Sequence, residues 1–182
     1  MNNISNLASN ERGGAHIALF ALLAVGFTVL LFVTSVQWML QSSNKTVIKL
    51  ALDRSTHAAA LRYDPLEAAY GRLVWDERQG EDDFYVTLRQ NLKLDSLGNP
   101  QTGSRLESAP VVHLLEFMTA PAYPAELRRT VIVNAGHETE TIRNVEVTIY
   151  GPSVVAVVEV HQRVRGKLEP IVLSSVASVR FR

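Results

Sequence analysis

The sequence has no cysteine, no net charge, and no charged side chain at all between Arg12 and Lys45. Each absence excludes something. Without cysteine there are no disulfides, no thiolate zinc sites and no cysteine nucleophile, so an exported domain rests on its packed core alone. Lys plus Arg number 18, as do Asp plus Glu, and only Glu11 and Arg12 precede Ser42. The C-terminal part is therefore neutral too. A neutral domain projects no long-range field toward nucleic acid or anionic lipid, which excludes nucleic-acid binding as the main role.

Local chemical signatures are missing as well. The five histidines are scattered, with His57 in a helical stretch, His113 and His161 in strand-like runs and His137 in a loop. No pair has the HxxxH, HxH or HExxH spacing that metal binding on one element favours, so no metal site is expected. Asp76, Glu77, Glu81, Asp82 and Asp83 lack the D-x-D-x-D-G order of a calcium loop; acidic residues opening a helix account for three of them. Ser153, Ser174 and Ser175 stand in no G-x-S-x-G elbow, and no phosphate-cradling glycine loop occurs. The expectation is a non-catalytic chain with no cofactor and no small-molecule substrate.

The charge-free stretch itself is the strongest positive feature. Residues 15–41 read AHIALFALLAVGFTVLLFVTSVQWMLQ, longer than the roughly 20 apolar residues that span a bilayer core as a helix. Trp38 stands near the far end, where an indole favours the membrane interface. A cleaved secretory signal would need a shorter apolar run and small residues at its end; here that end carries Trp38, Met39 and Leu40. The expected organisation is a polar leader (1–14), a transmembrane helix (15–41), an amphipathic continuation of it (42–64) and a soluble α+β head (65–182).

The continuation is read from KTVIKLALDRSTHAAALR, where Val47, Leu50, Ala51, Arg54, Ala58 and Leu61 fall at helical spacing. Lys49 and Asp53 form an i,i+4 pair on a neighbouring face, and Asp64-Pro65 is expected to end the helix. Leu66–Tyr70 reads as a turn of helix, Arg72–Asp76 as a short strand, and Glu81–Asp83 as the opening of a second helix. A Gly, Pro, Ser and Thr-rich loop follows over 98–108.

The remainder reads as β: 111–118, 130–134, 143–150, 154–164 and 171–181 are rich in Val and Ile. Val145, Val147 and Ile149 alternate with Glu146 and Thr148, the mark of a half-buried strand. Tyr150-Gly151-Pro152-Ser153 carries a hairpin-turn signal. The expected sheet is mostly antiparallel, with four or five strands. Val154, Val155, Val157 and Val158 lie in the run SVVAVVEV, whose one charge is Glu159. Such a run is core in a central strand, or a partner-docking edge at the side of a sheet.

Arg12-Gly13-Gly14-Ala15, the following IALFALL and the segment LALDRSTHAAALRYD resemble the TadE-like proteins of tight-adherence (Flp-type) pilus systems. The resemblance covers roughly residues 11–64. It implies a pseudopilin: a single-pass protein of the cytoplasmic membrane with a pilin-like head outside the cytoplasm. Its partners would be membrane lipid and other pilin-like or pilus-assembly proteins. It also implies processing between Gly14 and Ala15, while Ala18, Ala21, Ala24 and Gly26 would allow close helix approach. The sequence departs from the prepilin pattern in one respect: Leu19 stands where a carboxylate follows the scissile glycine by five residues. The flanking charges differ too, since Lys45, Lys49 and Arg54 follow the apolar run and Arg12 alone precedes it. By the positive-inside rule these would place the head in the cytoplasm, although a domain this long need not obey a rule calibrated on short loops. A generic signal-anchored extracytoplasmic scaffold or receptor domain is the alternative.

Overall fold

The computed structural model describes residues 11–119, 122–136, 140–164 and 167–179. The leader before Glu11, the loop residue His137 and the strand residue Phe181 lie outside the described residues. By their internal contacts the residues form two units, Met1–Ser43 and Asn44–Arg182. One helix, α1 (Glu11–Ala60), runs 50 residues without a break, as the absence of Pro and Gly between Thr28 and Tyr63 leads one to expect. Two short helices, α2 (Pro65–Ala69) and α3 (Glu77–Leu92), follow it. Five strands follow among the described residues: β1 (Val111–Met118), β2 (Ala125–Val133), β3 (Thr141–Ile149), β4 (Ser153–Val164) and β5 (Lys167–Ser178).

The class is α+β and every pairing between strands is antiparallel, but the five strands do not form one sheet. They divide into a three-stranded sheet of order β1-β4-β5 and a two-stranded hairpin, β2-β3. The expected turn at Tyr150–Ser153 is not a hairpin, because β3 pairs with β2 and β4 with β1 and β5. This segment instead carries the chain from one sheet to the other. Ser153 Oγ closes it on the Gly151 carbonyl at 2.7 Å, and Val179 N–H donates to the Pro152 carbonyl at 2.9 Å. Turn chemistry marks a change of direction; it does not say which strands pair afterwards.

Strand β4 organises the Asn44–Arg182 unit. Val154, Ala156, Val158 and Val160 face one way and pack with Ile48, Ala51, Leu52, Phe84 and Leu88 of α1 and α3. Val155 and Val157 face the other way, against Leu127, Val131, Val133 and Ile149 of the hairpin. A strand covered on both faces needs apolar residues at consecutive positions, not at alternate ones. The edge reading of Val154, Val155, Val157 and Val158 is thereby corrected: β4 has a strand on each side, and all four are 0–2% exposed.

The last turns of α1 pack through an unexpected stripe. The buried side chains are Ile48, Ala51, Leu52, Ser55, Thr56, Ala59 and Ala60, whereas Leu50 and Leu61 are exposed. The spacing is helical as expected, but the face is rotated away from the larger residues. Small side chains bring the sheet close, and the two hydroxyls cost little because Ser55 donates to the Ala51 carbonyl (2.8 Å) and Thr56 to that of Leu52 (2.9 Å). The anticipated Lys49–Asp53 pair is present, and Asp53 also accepts from Ser175 Oγ of β5 at 2.6 Å.

Three local boundaries differ from expectation. Helix α1 ends at Ala60, and Asp64 opens α2: its carboxylate accepts from Leu66 N–H (2.8 Å) and Glu67 N–H (3.3 Å), with Pro65 as the first helical residue. Residues 72–76 form no strand; a single bridge joins Tyr63 to Trp75. Helix α3 starts at Glu77, capped by Asp76, and so includes Gly80, a residue that disfavours helix interiors. The reason is space. A Cβ on Gly80 would lie 2.7 Å from Phe117 Cζ and 3.2 Å from the Ala59 carbonyl oxygen.

Gly80→Ala therefore tests this packing through its sign. At an open helix site the change gains about 1 kcal/mol, whereas overpacking costs roughly 1–3 kcal/mol. A net loss of up to about 2 kcal/mol is expected in chemical denaturation of the purified protein. A gain would mean that Phe117 moves aside freely.

Candidate functional site

The first candidate is the apolar part of α1. Every large apolar side chain from Ile17 to Leu40 is 41–77% exposed, and α1 is the one helix among the described residues long and apolar enough to cross a membrane. A continuous helix satisfies its own backbone groups, the condition lipid imposes. Its few hydroxyls do the same: Thr28 donates to the Ala24 carbonyl (2.8 Å), Thr34 to Leu30 (2.9 Å) and Ser35 to Leu31 (2.7 Å). Apolar residues occupy all sides, as in a helix that meets lipid or other helices on every side.

Gly14 and Ala15 both lie within α1. Ala18, Ala21, Ala24 and Gly26 do not share one face. At about 100° per residue Ala18 and Ala21 lie about 60° apart, with Gly14 between them, while Gly26 lies about 140° round from Ala21. A Cβ on Gly14 or Gly26 would meet nothing within 4 Å, so no contact within the chain requires glycine at either position.

The second candidate went unread in the sequence. Glu159 of β4, the lone charge in the apolar run, is 2% exposed on the hairpin-facing side. His113 Nε2 lies 2.8 Å from its Oε2, and Asn134 N–H donates to Oε1 at 3.0 Å. His161 Nε2 approaches the same Oε1 at 3.5 Å and Asn134 Oδ1 at 3.3 Å. His161 Nδ1 is buried with no partner among the described residues.

Backbone irregularities assemble this cluster. The β1–β4 register shifts between Val112 and Leu114, so His113 is the extra residue of a bulge. Val112 packs on the helix side of the sheet and Leu114 on the hairpin side, while His113 shares the hairpin side with Leu114. Bulges re-aim side chains in this way. Asn134 sits at φ 57° just after β2, which turns its N–H inward. Spacing rules search for ligands on one element, whereas here two histidines from different strands meet one carboxylate.

A third feature is an open cleft of about 930 Å³ beyond the end of α1, lined by Leu61, Tyr63, Val74 and Trp75 among others. Three of its polar side chains are already engaged: Arg62 pairs with Asp83, while Asp64 and Asp76 cap helices. The lining contains no His, Ser, Thr or Lys. Among the described residues no group of three or more His, Cys, Asp or Glu side chains is placed to hold a metal ion.

Arg62, in the lining of the cleft, has its pKa raised by its hydrogen bond to and charge pairing with Asp83. Arg128 is raised by Glu146 and Glu126 on the hairpin surface, and Tyr85 is raised by partial burial and then by Glu81. Asp95 is held below the usual carboxylate range by the Asn99 N–H, partly opposed by desolvation and helped by the Leu97 N–H. Both amides lie 2.8 Å from its Oδ1. A depressed carboxylate stabilises the fold above its ordinary titration range and loses that effect as pH falls through its lowered value. Protection of the Leu97 and Asn99 amides from hydrogen exchange should persist through mildly acidic pH and fall only below the ordinary Asp range. In Asp95→Ala it should be lost at neutral pH.

No protein-family model, curated protein or solved structure matches the chain.

Proposed function

We propose that this chain is a TadE-like pseudopilin: a non-catalytic, membrane-anchored component of a Tad/Flp-type pilus or a related secretion assembly. One observation carries the reading. A single unbroken helix supplies both a charge-free span of exposed apolar side chains and, from Ile48 onward, a wall of the core of an α+β domain. A mere tether has no need to continue its helix into the packing of the domain it holds. In a pilin-like subunit the helix is part of the head.

The mechanism is physical. The apolar part of α1 holds the subunit in the bilayer of the cytoplasmic membrane by burying side chains worth about 1.5–3 kcal/mol each. The head lies outside the cytoplasm and presents its surface to other pilin-like or pilus-assembly proteins. Processing after Gly14 would release the polar leader and leave Ala15 as the new N-terminus. Cutting one peptide bond there leaves a helix that still spans the membrane.

Leu19 favours a second reading, a permanently anchored extracytoplasmic scaffold or receptor domain. A prepilin-type carboxylate at that position pairs with a neighbouring subunit's terminal amine, and leucine offers no such partner.

Intact-mass measurement on protein extracted from native membranes separates the two. The pseudopilin reading predicts loss of residues 1–14 from the wild type and retention of the full chain in Gly14→Val. A full-length wild-type protein would overturn it in favour of the permanent anchor.

A further inference from the structure

We infer that Lys45, Lys93 and Arg105 form a cationic rim at the Asn44 end of the head, and that this rim binds the headgroups of anionic phospholipids. With residues 15–41 read as the membrane span, the level of the headgroups follows from the chain itself. Lys45 comes four residues after Gln41 on the same helix. Four residues rise about 6 Å, and a headgroup layer is roughly 5–7 Å thick. Arg105 is 61 positions further on, yet its Nη1 donates to Asn44 Oδ1 at 2.7 Å. The loop between α3 and β1 is thereby tied to the point where the chain leaves the apolar run. Lys93 belongs to the same loop. Its carbonyl accepts from Gln101 N–H at 2.9 Å, and its Nζ lies 3.2 Å from where a Cβ on Gly103 would stand.

The state of the neighbouring charges singles these three out. Lys49 is paired with Asp53, and Arg163 with Glu107. The Asp95 carboxylate, in the same loop, is taken up by the Leu97 and Asn99 amides. Lys45, Lys93 and Arg105 are exposed and have no acidic partner among the described residues. Two ammonium groups and a guanidinium fork suit phosphate oxygens. The neutrality of the chain is no obstacle to this. A long-range field serves to draw a ligand from afar, whereas here the anchor supplies the proximity. Cations within a Debye length of about 10 Å then act on the adjacent lipid, each strengthening attraction to an anionic surface about fivefold.

The test reconstitutes the full chain into vesicles of equal parts phosphatidylcholine and phosphatidylglycerol. One lipid or the other carries a spin label on its acyl chain, and electron paramagnetic resonance reads the share immobilised at the protein. The wild type should hold phosphatidylglycerol about fivefold over phosphatidylcholine, a preference that fades in molar salt. K45Q/K93Q/R105Q should abolish it. The charge-conserving K45R/K93R/R105K should keep it, as should R78Q, in the cleft beyond the other end of α1. Equal immobilisation of the two lipids by the wild type would overturn the rim and leave the span intact. So would an undiminished preference in the glutamine variant, or its loss in the charge-conserving one. Immobilisation of neither lipid would mean that α1 does not span, and the rim would fall with it.

Discussion

Burial of β4 on both faces is the constraint from which the rest of the head follows. A strand with Val154, Val155, Ala156, Val157 and Val158 in succession has apolar side chains on both sides of its pleat, and water is excluded only if a layer covers each. The helices supply one layer and the hairpin the other. Close covering in turn asks for small residues where backbones approach. Ala51, Ser55 and Ala59 meet this on α1 and Gly80 on α3, so four inconspicuous positions set how near the helices come to the sheet.

The two sides of β4 are held by different means. On the helix side the contact is almost wholly apolar, with Ser175 and Asp53 joined near the margin. On the hairpin side a carboxylate is buried, and three nitrogens from β1, β4 and the turn after β2 gather around it. Desolvating an ion is expensive. The hairpin's bonds from Arg129 to Glu116 of β1 lie instead at the exposed margin. The apolar part of α1 is the opposite, a surface whose Thr28, Thr34 and Ser35 hydroxyls bond back to their own helix.

Much of this was legible in the sequence, and the parts that were not share a cause. The 50-residue helix, the antiparallel β-rich remainder, the Lys49–Asp53 pair and the alternation in β3 follow from local periodicity and were readable as such. What failed was partnering. Nothing in Tyr150–Ser153 tells that β3 and β4 lie in different sheets, because pairing is decided by which faces need covering. The buried face of α1 was misjudged because Leu50 and Leu61 outrank Ser55 and Ala59 in hydrophobicity, while close packing favours the smaller pair. Gly80 reads as a helix breaker until Phe117 is seen above it. His113 and Glu159, 46 positions apart, carry no mutual signal in the chain. The one hint was a lone acid inside an apolar run.

Because the chain has no cysteine of its own, its sidedness can be read with a single introduced thiol. Leu97 is 84% exposed in the loop after α3, so Leu97→Cys offers an accessible reporter in the head. The measurement is labelling of intact native cells with a membrane-impermeant maleimide. The predicted result is modification before lysis, with the head outside the cytoplasm and the apolar part of α1 across the membrane. Modification only after lysis would place the head inside, in line with the cationic flank of Lys45, Lys49 and Arg54, and would contradict the assembly role.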